Sequence, residues 1–519
     1  MAGMFAYTHF SEIVLGDNVT DIPSRVFSAD SGCPSYANTN YSKLKKLSIP
    51  DSVTTIAKRA FTGSTFTVLE EVHLNVKGTL ETGEWFNFPS KSETLIIEGE
   101  GQSSLVKGLS YSDSFLLSLP ANLIVRNCSL GAYTVKASDT YGSLKSISFE
   151  GTVWLYPESL YYAFGYEGEL TIPSNVVLIG GEGSLTHNKI SKLTINVESI
   201  PEYTGSSYNS LVYEGRIGEI HFGENVKSVG NLKTSQTTTK KLFFSSRQQI
   251  TDIDIYKYAY LFQYKEVYVG DTLITELDIT TDVPNYRYMG WNSLSHINIH
   301  EGVTTIGDNA FKSTGLQELT LPKSITTIGS QAFADAPIST LTILAETSIS
   351  VGGNAFAYSV WPPVIKTIKV PSLEVWLQLS SFKQYYPLDT AGVFYDLYFG
   401  DALVKDVVIP EDVTSIPSYA FPGSSITSIS IGSQVSKVGS YAFIGCVNLK
   451  SFSSKTANAP VAYNGTFGTG TTDYTGRNTY NTNENILYVP QGATGYDVGY
   501  WLDPLQNSDK CGFVISYTL

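Results

Sequence analysis

The sequence predicts a β-rich solenoid, curved and right-handed, in which short parallel strands alternate with turns and short helical segments. Three observations predict it. The dipeptide Ala-Phe recurs at a regular interval: 22 residues separate Phe311 from Phe333 and Phe421 from Phe443, and 23 separate Phe333 from Phe356. Upstream of each dipeptide stands an apolar pattern, as in Leu294-x-x-Ile297-x-Ile299, Leu316-x-x-Leu319-x-Leu321 and Ile338-x-x-Leu341-x-Ile343. The composition agrees: charged residues are 16 %, while Tyr (34) and Phe (25) are plentiful, which suits strands and tight turns better than helices.

At 519 residues the length alone would suggest several globular domains. Repeat proteins escape that expectation because they grow along one axis and need no single central core. One unit reads L-x-x-L-x-I-P-x-x-V-T-x-I-G-x-x-A-F, and each part has a physical task. The last two apolar residues of L-x-x-L-x-I are two apart, so they share one face of a short strand. A following Pro (Pro50, Pro173, Pro322, Pro371, Pro410) has no N–H to donate and ends the strand. Val-x-x-Ile returns a second extended segment to the core, Gly permits the next turn, and Ala-Phe fills the interior. A single unit cannot bury these residues, whereas stacked units bury them in a column.

Along the chain, units open at Leu44, Leu69, Leu144, Ile190, Ile217, Ile274, Ile365, Val404, Ile426 and Leu449. They are most regular at 294–345 and 404–450, and irregular between about 80 and 290. Three segments read as hairpins added to a repeat, because apolar residues alternate around a Gly-containing turn: 211–217, 267–273 and 397–403. An insertion covers about 372–403, aromatic over 372–395. The stretch 453–485 is rich in Thr, Asn, Gly and Tyr and reads as irregular loop. The expected organisation is one solenoid over 1–486 and a capping segment over 487–519.

The unit resembles the BspA-like type of leucine-rich repeat, whose pattern is close to L-x-x-I-x-I-P-x-x-V-x-x-I-G-x-x-A-F-x-x-C-x-x-L. Residues 426–449 match it nearly position for position, with Cys446 at the Cys site, and Leu487-Tyr488-Val489-Pro490-Gln491-Gly492 with Tyr496 and Trp501 resembles the usual last repeat. Most units here lack the Cys, and 80–140 and 228–265 fit poorly. The resemblance implies a leucine-rich-repeat solenoid on a bacterial cell surface or secreted, linked to adhesion to host proteins, other microbes or glycans. It implies no catalytic motif and no fixed binding residues.

In each strand the residue between the last two apolar positions must point away from the core. These are Ser48, His73, Ser148, Thr194, His221, Asp278, Asn298, Thr320, Thr342, Lys369, Val408 and Ser430, nearly all polar. Stacked at about 4.8 Å per strand they form a ladder. Candidate binding residues on it are His73, His221, Asp278, Asn298, Thr320, Thr342 and Lys369; a merely soluble face is the alternative. Trp376, Tyr385 and Tyr386 form an aromatic group that either anchors a partner or covers the core. His296 and His300 share a strand face, but no further ligand is signalled, so a solvated pair is expected. Asp252, Asp254, Asp278 and Asp282 lack the spacing of a calcium loop.

The net charge of −14 repels phosphate backbones and argues against nucleic acid as a partner. No apolar run reaches the ~20 residues needed to span a bilayer. The first residues lack the charge and apolar run of a signal peptide, leaving a cytosolic protein or one whose leader has been removed. Four scattered cysteines (Cys33, Cys128, Cys446, Cys511) are expected to be free thiols. No nucleophile, phosphate-loop, zinc-protease or dinucleotide motif appears. The expectation is therefore a monomeric binding protein without cofactor, metal or catalytic residues, whose partner is a surface protein or glycan. The second reading is a structural spacer or self-associating envelope component.

Overall fold

The structure, a computed structural model, describes residues 10–518 apart from 28–42, 61–67, 82–85, 88–93, 109–115, 137–143, 164–167, 181–184, 203–210, 213–215, 233–238, 256–260, 358–364, 380–394, 467–484, 502–512 and shorter breaks of one to three residues. The chain is a parallel β-solenoid with two short helices among the described residues, Arg247–Asp252 and Leu373–Gln378. It divides into two compact units, Met1–Leu273 and Ile274–Leu519.

In the first unit, six strands stack in parallel from Glu12–Val14 through Lys46–Ile49, Glu71–Val76, Thr94–Gly99 and Asn122–Arg126 to Ser146–Glu150. A second sheet runs Gly168–Ile172, Lys189–Ile195, Arg216–Phe222, Lys241–Phe244 and Glu266–Val269, all parallel, and ends on the antiparallel Thr272–Leu273. Opposite these lie shorter strands of the returning segment, such as Val153–Leu155 beside Val176–Leu178. The register follows the pattern: Leu47 pairs Val72 and Ile49 pairs Leu74, so apolar residues of successive turns sit over one another. They are buried, and the residues between them are not.

The second unit contains the most regular turns. Glu318–Leu321, Thr340–Ile343, Thr367–Val370 and Asp396–Phe399 stack in parallel, closed by the antiparallel Ala402–Leu403. A further sheet runs from Asp406–Val408 through Ser428–Ile431, Ser451–Ser454 and Asn485–Pro490 to Phe513–Thr518. The returning strands Thr305–Ile306, Thr327–Ile328 and Ser350–Val351 make a three-stranded sheet of their own. The strands end at the prolines, as Leu321 before Pro322 and Val408 before Ile409-Pro410 show.

Ala-Phe behaves as the spacing requires. Ala310, Phe311, Ala332, Phe333, Ala420, Phe421, Ala442 and Phe443 are all buried. The Phe rings form an internal stack, 5.3 Å between Phe311 and Phe333 and 5.2 Å between Phe333 and Phe356. The residue before five of the dipeptides is left-handed: Asn309, Gln331, Asn354, Tyr419 and Tyr441 have φ between 54° and 57°. That conformation turns its N–H toward the next turn, where Asn309 donates to the Ser330 carbonyl at 2.9 Å and Tyr419 to that of Ser440 at 3.1 Å.

Two of the three expected hairpins form. Tyr268 pairs Leu273 and Tyr398 pairs Leu403, around turns in which Gly270 and Gly400 take φ of 57° and 60°. The turn of the third, 211–217, lies at 213–215, outside the described residues; Arg216 and Ile217 begin a strand parallel to Lys189–Ile195. Ile217 fills the opening apolar slot of its unit and is fully buried.

Candidate functional site

The face that carries the ladder is built by strand alternation. With every second side chain buried, the intervening ones project outward in register from turn to turn. In the first unit His73 lies beside Ser48 on one side and Ile96 on the other, and Ile124 follows before Ser148. In the second sheet the order is Thr171, Thr194, His221, Phe243, Tyr268. In the second unit Asp278 stands beside Asn298, Thr320 leads through Thr342 and Lys369 to Tyr398, and Val408 leads through Ser430 and Ser453 to Tyr488. The ladder expected from the sequence thus exists, with additional rungs at Ile124, Phe243, Tyr268, Tyr398, Ser453 and Tyr488, while Ile96 at the same register is buried.

Each strand also presents an outward residue two positions earlier, so the face has a second column. Here Lys46 neighbours Glu71, and Lys192, Glu219, Lys241 and Glu266 follow one another. The two columns interact. His73 Nε2 lies 3.0 Å from a Glu71 oxygen, and His221 Nε2 lies 3.2 Å from Glu219. Both contacts are partly exposed, so water competes for them and they orient the imidazoles more than they stabilise the fold. His221 also stacks on Phe243 at 4.1 Å, and Phe243 on Tyr268 at 5.0 Å.

The polar cluster of the second unit centres on Asp278. Its Oδ1 accepts from Asn298 Nδ2 at 2.9 Å and lies 2.9 Å from His300 Nε2. His296 turns elsewhere, its Nδ1 3.1 Å from Ser295 Oγ. The two histidines therefore do not converge on a common point. Among the described residues, no three His, Cys, Asp or Glu side chains are grouped as a metal would need. Asp282 accepts from the Thr304 and Thr305 amides at 2.7 and 3.0 Å, which holds its carboxyl below its ordinary range and ties one turn to the next. Glu411 does the same for Ser433, at 2.7 Å.

At the far end of the Thr320 ladder, the Lys369 ammonium lies 5.7 Å from the Tyr398 ring centroid and 3.3 Å from Asp401 on the hairpin turn. Aromatic, cationic and anionic groups thus meet on one exposed patch. Of the two readings open for Trp376, the structure shows the one that covers the core. Trp376 is buried, donates its indole N–H to the Ala420 carbonyl at 2.6 Å, and meets Tyr395 edge-on. It sits on the helix Leu373–Gln378, capped by Ser372, whose inner side faces the core. Tyr385 and Tyr386 lie outside the described residues. Of the thiols, Cys128 is buried, which pushes it up to about 12, and Cys446 Sγ donates to the Phe421 carbonyl; both are thiols rather than disulfides.

The BspA type leucine rich repeat region matches in six copies over residues 31–99, 281–389 and 394–475, half of the chain. The chain belongs to the BspA type leucine-rich-repeat family. No curated protein matches this BspA-type chain. Among solved structures it is similar to a leucine rich cell surface protein from Faecalibacterium prausnitzii, at 15 % identity over 64 % of this chain and 83 % of that one, TM-score 0.27. It is also similar to a leucine-rich repeat protein from Bacteroides ovatus (16 % identity, 84 % and 82 % covered, TM-score 0.22) and to the pneumococcal vaccine antigen PcpA (14 %, 86 % and 82 %, TM-score 0.18). The match leaves 100–280 unclaimed, the same region where the repeat is hardest to read in the sequence.

Proposed function

We propose that this BspA-type chain is a cell-surface or secreted binding protein that holds a host protein, a glycan or another microbe through the outward ladder of its sheets. The observation that carries this reading is the register. Thr320, Thr342, Lys369 and Tyr398 stand on adjacent strands at the same position, beside the Lys369–Asp401 pair. Such an array is rigid before any partner arrives, so little side-chain and backbone entropy is lost on binding. It combines a ring, a cation and hydroxyl groups, which suits contact with a polar macromolecular surface. Asp278, Asn298 and His300 give a second fixed polar group on the same unit.

The test is binding of the full chain to arrays of extracellular-matrix proteins and of glycans. A triple variant, Asn298→Ala, Thr342→Ala and Lys369→Ala, leaves the backbone ladder and the core intact. At least tenfold weaker binding to a ligand found with the unaltered chain is the expected result. Unchanged binding by the triple variant would move the site off this face. No ligand on either array would favour the structural reading of a spacer.

A further inference from the structure

The second sheet of the first unit carries a charge pattern that the described residues show nowhere else. Its outer column reads Glu169, Lys192, Glu219, Lys241, Glu266, with each residue the registered neighbour of the next. Five rungs alternate in sign, in a chain of which only 16 % is charged. The corresponding column of the first sheet reads Glu12, Lys46, Glu71, Thr94, Asn122, Ser146, and that of the second unit's regular turns reads Glu318, Thr340, Thr367, Asp396. The first alternates over three rungs only, and the second not at all.

Part of this pattern serves the sheet itself, since opposite charges on neighbouring strands attract. Lys241 Nζ lies 3.6 Å from Glu219, a loose pair with side chains 42 % and 35 % exposed. Among the described residues, Glu169 and Lys192 have no ion pair. Glu219 also meets His221, and Glu266 accepts from the Tyr268 hydroxyl at 2.8 Å, so these charges are partly engaged within the sheet while remaining accessible at its surface. Beside them runs the column Thr171, Thr194, His221, Phe243, Tyr268, continued by Leu273 on the hairpin, which is 40 % exposed. Its three rings are stacked on one another along the ladder, at 6° and 18° from parallel. Phe243, in the middle, is covered on both faces by its neighbours and offers no free ring face for a sugar to stack on.

We propose that this face joins two copies of the chain. A two-fold interface must be its own complement: if residue i meets residue j, then j meets i. An alternating column satisfies that condition about an axis that runs along the strands and passes between the rungs of Glu219 and Lys241. The axis reverses the order of the turns in the facing copy. Glu219 then lies opposite the partner's Lys241, and Lys192 opposite the partner's Glu266. In the neighbouring column His221 meets the partner's Phe243, Thr194 meets the partner's Tyr268, and Thr171 meets the partner's Leu273. Opposite charges meet at each of these rungs, and the aromatic ridge is covered by its own copy. A slip of one rung brings like charges together, so the alternation also fixes the register. The inference goes beyond the proposed function, and it replaces the monomer expected from the sequence with a symmetric pair.

Sedimentation of the full chain, with no ligand present, tests it. Two variants carry a single sign on the four paired rungs from 192 to 266: Lys192→Glu with Lys241→Glu, and Glu219→Lys with Glu266→Lys. The unaltered chain is expected to shift from one to two copies as concentration rises, and less so at high salt. Each variant alone is expected to associate at least tenfold more weakly. An equimolar mixture of the two should recover the two-copy species, because each supplies the charges the other lacks. Thermal melts of each variant confirm that it is folded before mixing. A single-copy unaltered chain at every concentration overturns the proposal. So do variants that still self-associate, and so does a mixture of folded variants that stays single-copy, which would leave the column a role within the sheet only.

Discussion

Phe311 and Phe333 lie 5.3 Å apart between ring centroids, 5° from parallel, each in the interior of its own turn. Phe333 also stacks on Phe356, so one ring couples three turns. Phe333→Ala removes a fully buried ring and opens a gap that neighbouring turns, held by their own backbone ladders, cannot close. A loss of about 3–5 kcal/mol follows, read from the shift of the chemical-denaturation midpoint. Phe333→Leu fills much of the same volume and should lose less than half as much.

The left-handed positions give a prediction of opposite sign. Ser313 holds φ of 57° and donates its amide to the Ala334 carbonyl at 2.8 Å. A side chain strains that conformation, and glycine does not. Ser313→Gly should raise stability by up to about 1 kcal/mol, and Ser313→Val, branched at Cβ, should lower it by more than glycine gains. Thermal melts of the two variants decide it, and equal effects of both would show that the strain is absent.

These two positions also mark what the sequence reveals and what it hides. Phe333 was legible because the core of a solenoid repeats with the turn. The opening apolar positions from Leu44 to Leu449 are buried for the same reason. The outward ladder was legible only where both flanking slots keep their apolar residues. In the strand Lys241–Phe244 the opening slot is held by Thr239, buried with a hydroxyl that has no partner, and the outward position by Phe243. Polar-in and apolar-out is the reverse of the pattern, so this rung and its stack with His221 escaped a reading based on alternation. Pro120 in the opening slot before Leu123 hid Ile124 in the same way. Trp376 left both readings open because an aromatic insertion looks alike from either side of the surface.

Glu411 gives a pH dependence. The Lys455 ammonium at 2.6 Å, with the Ser433 amide and hydroxyl, lowers its carboxyl from 4.5 to about 2. A carboxyl held below its unfolded value stabilises the fold above pH 4.5, and that contribution fades as the pH falls toward 2. The group is exposed and salt screens it, so the effect is small and shrinks as ionic strength rises. Denaturation midpoints of the unaltered chain and Glu411→Gln should differ at pH 6 and converge between pH 4.5 and 2. A gap that persists at pH 2 would mean that the glutamate acts through something other than its charge.

Lys265 titrates at the other end of the range. It is buried, its ammonium donates to the Thr239 carbonyl at 3.1 Å, and burial lowers it from 10.5 to about 8. Between those two values the unfolded chain binds the proton that the folded chain has released, so this group makes stability rise with pH across that window. Below pH 8 both states are protonated and its effect is a constant penalty for a charge held away from water. Lys265→Met keeps the length of the side chain and removes the charge. The variant should be the more stable of the two at pH 7, and its advantage should narrow steadily as the pH is raised from 8 to 10.5. Denaturation midpoints of both proteins at half-unit pH intervals measure this, and a difference that stays constant across the window would show that Lys265 keeps its ordinary proton affinity in the fold.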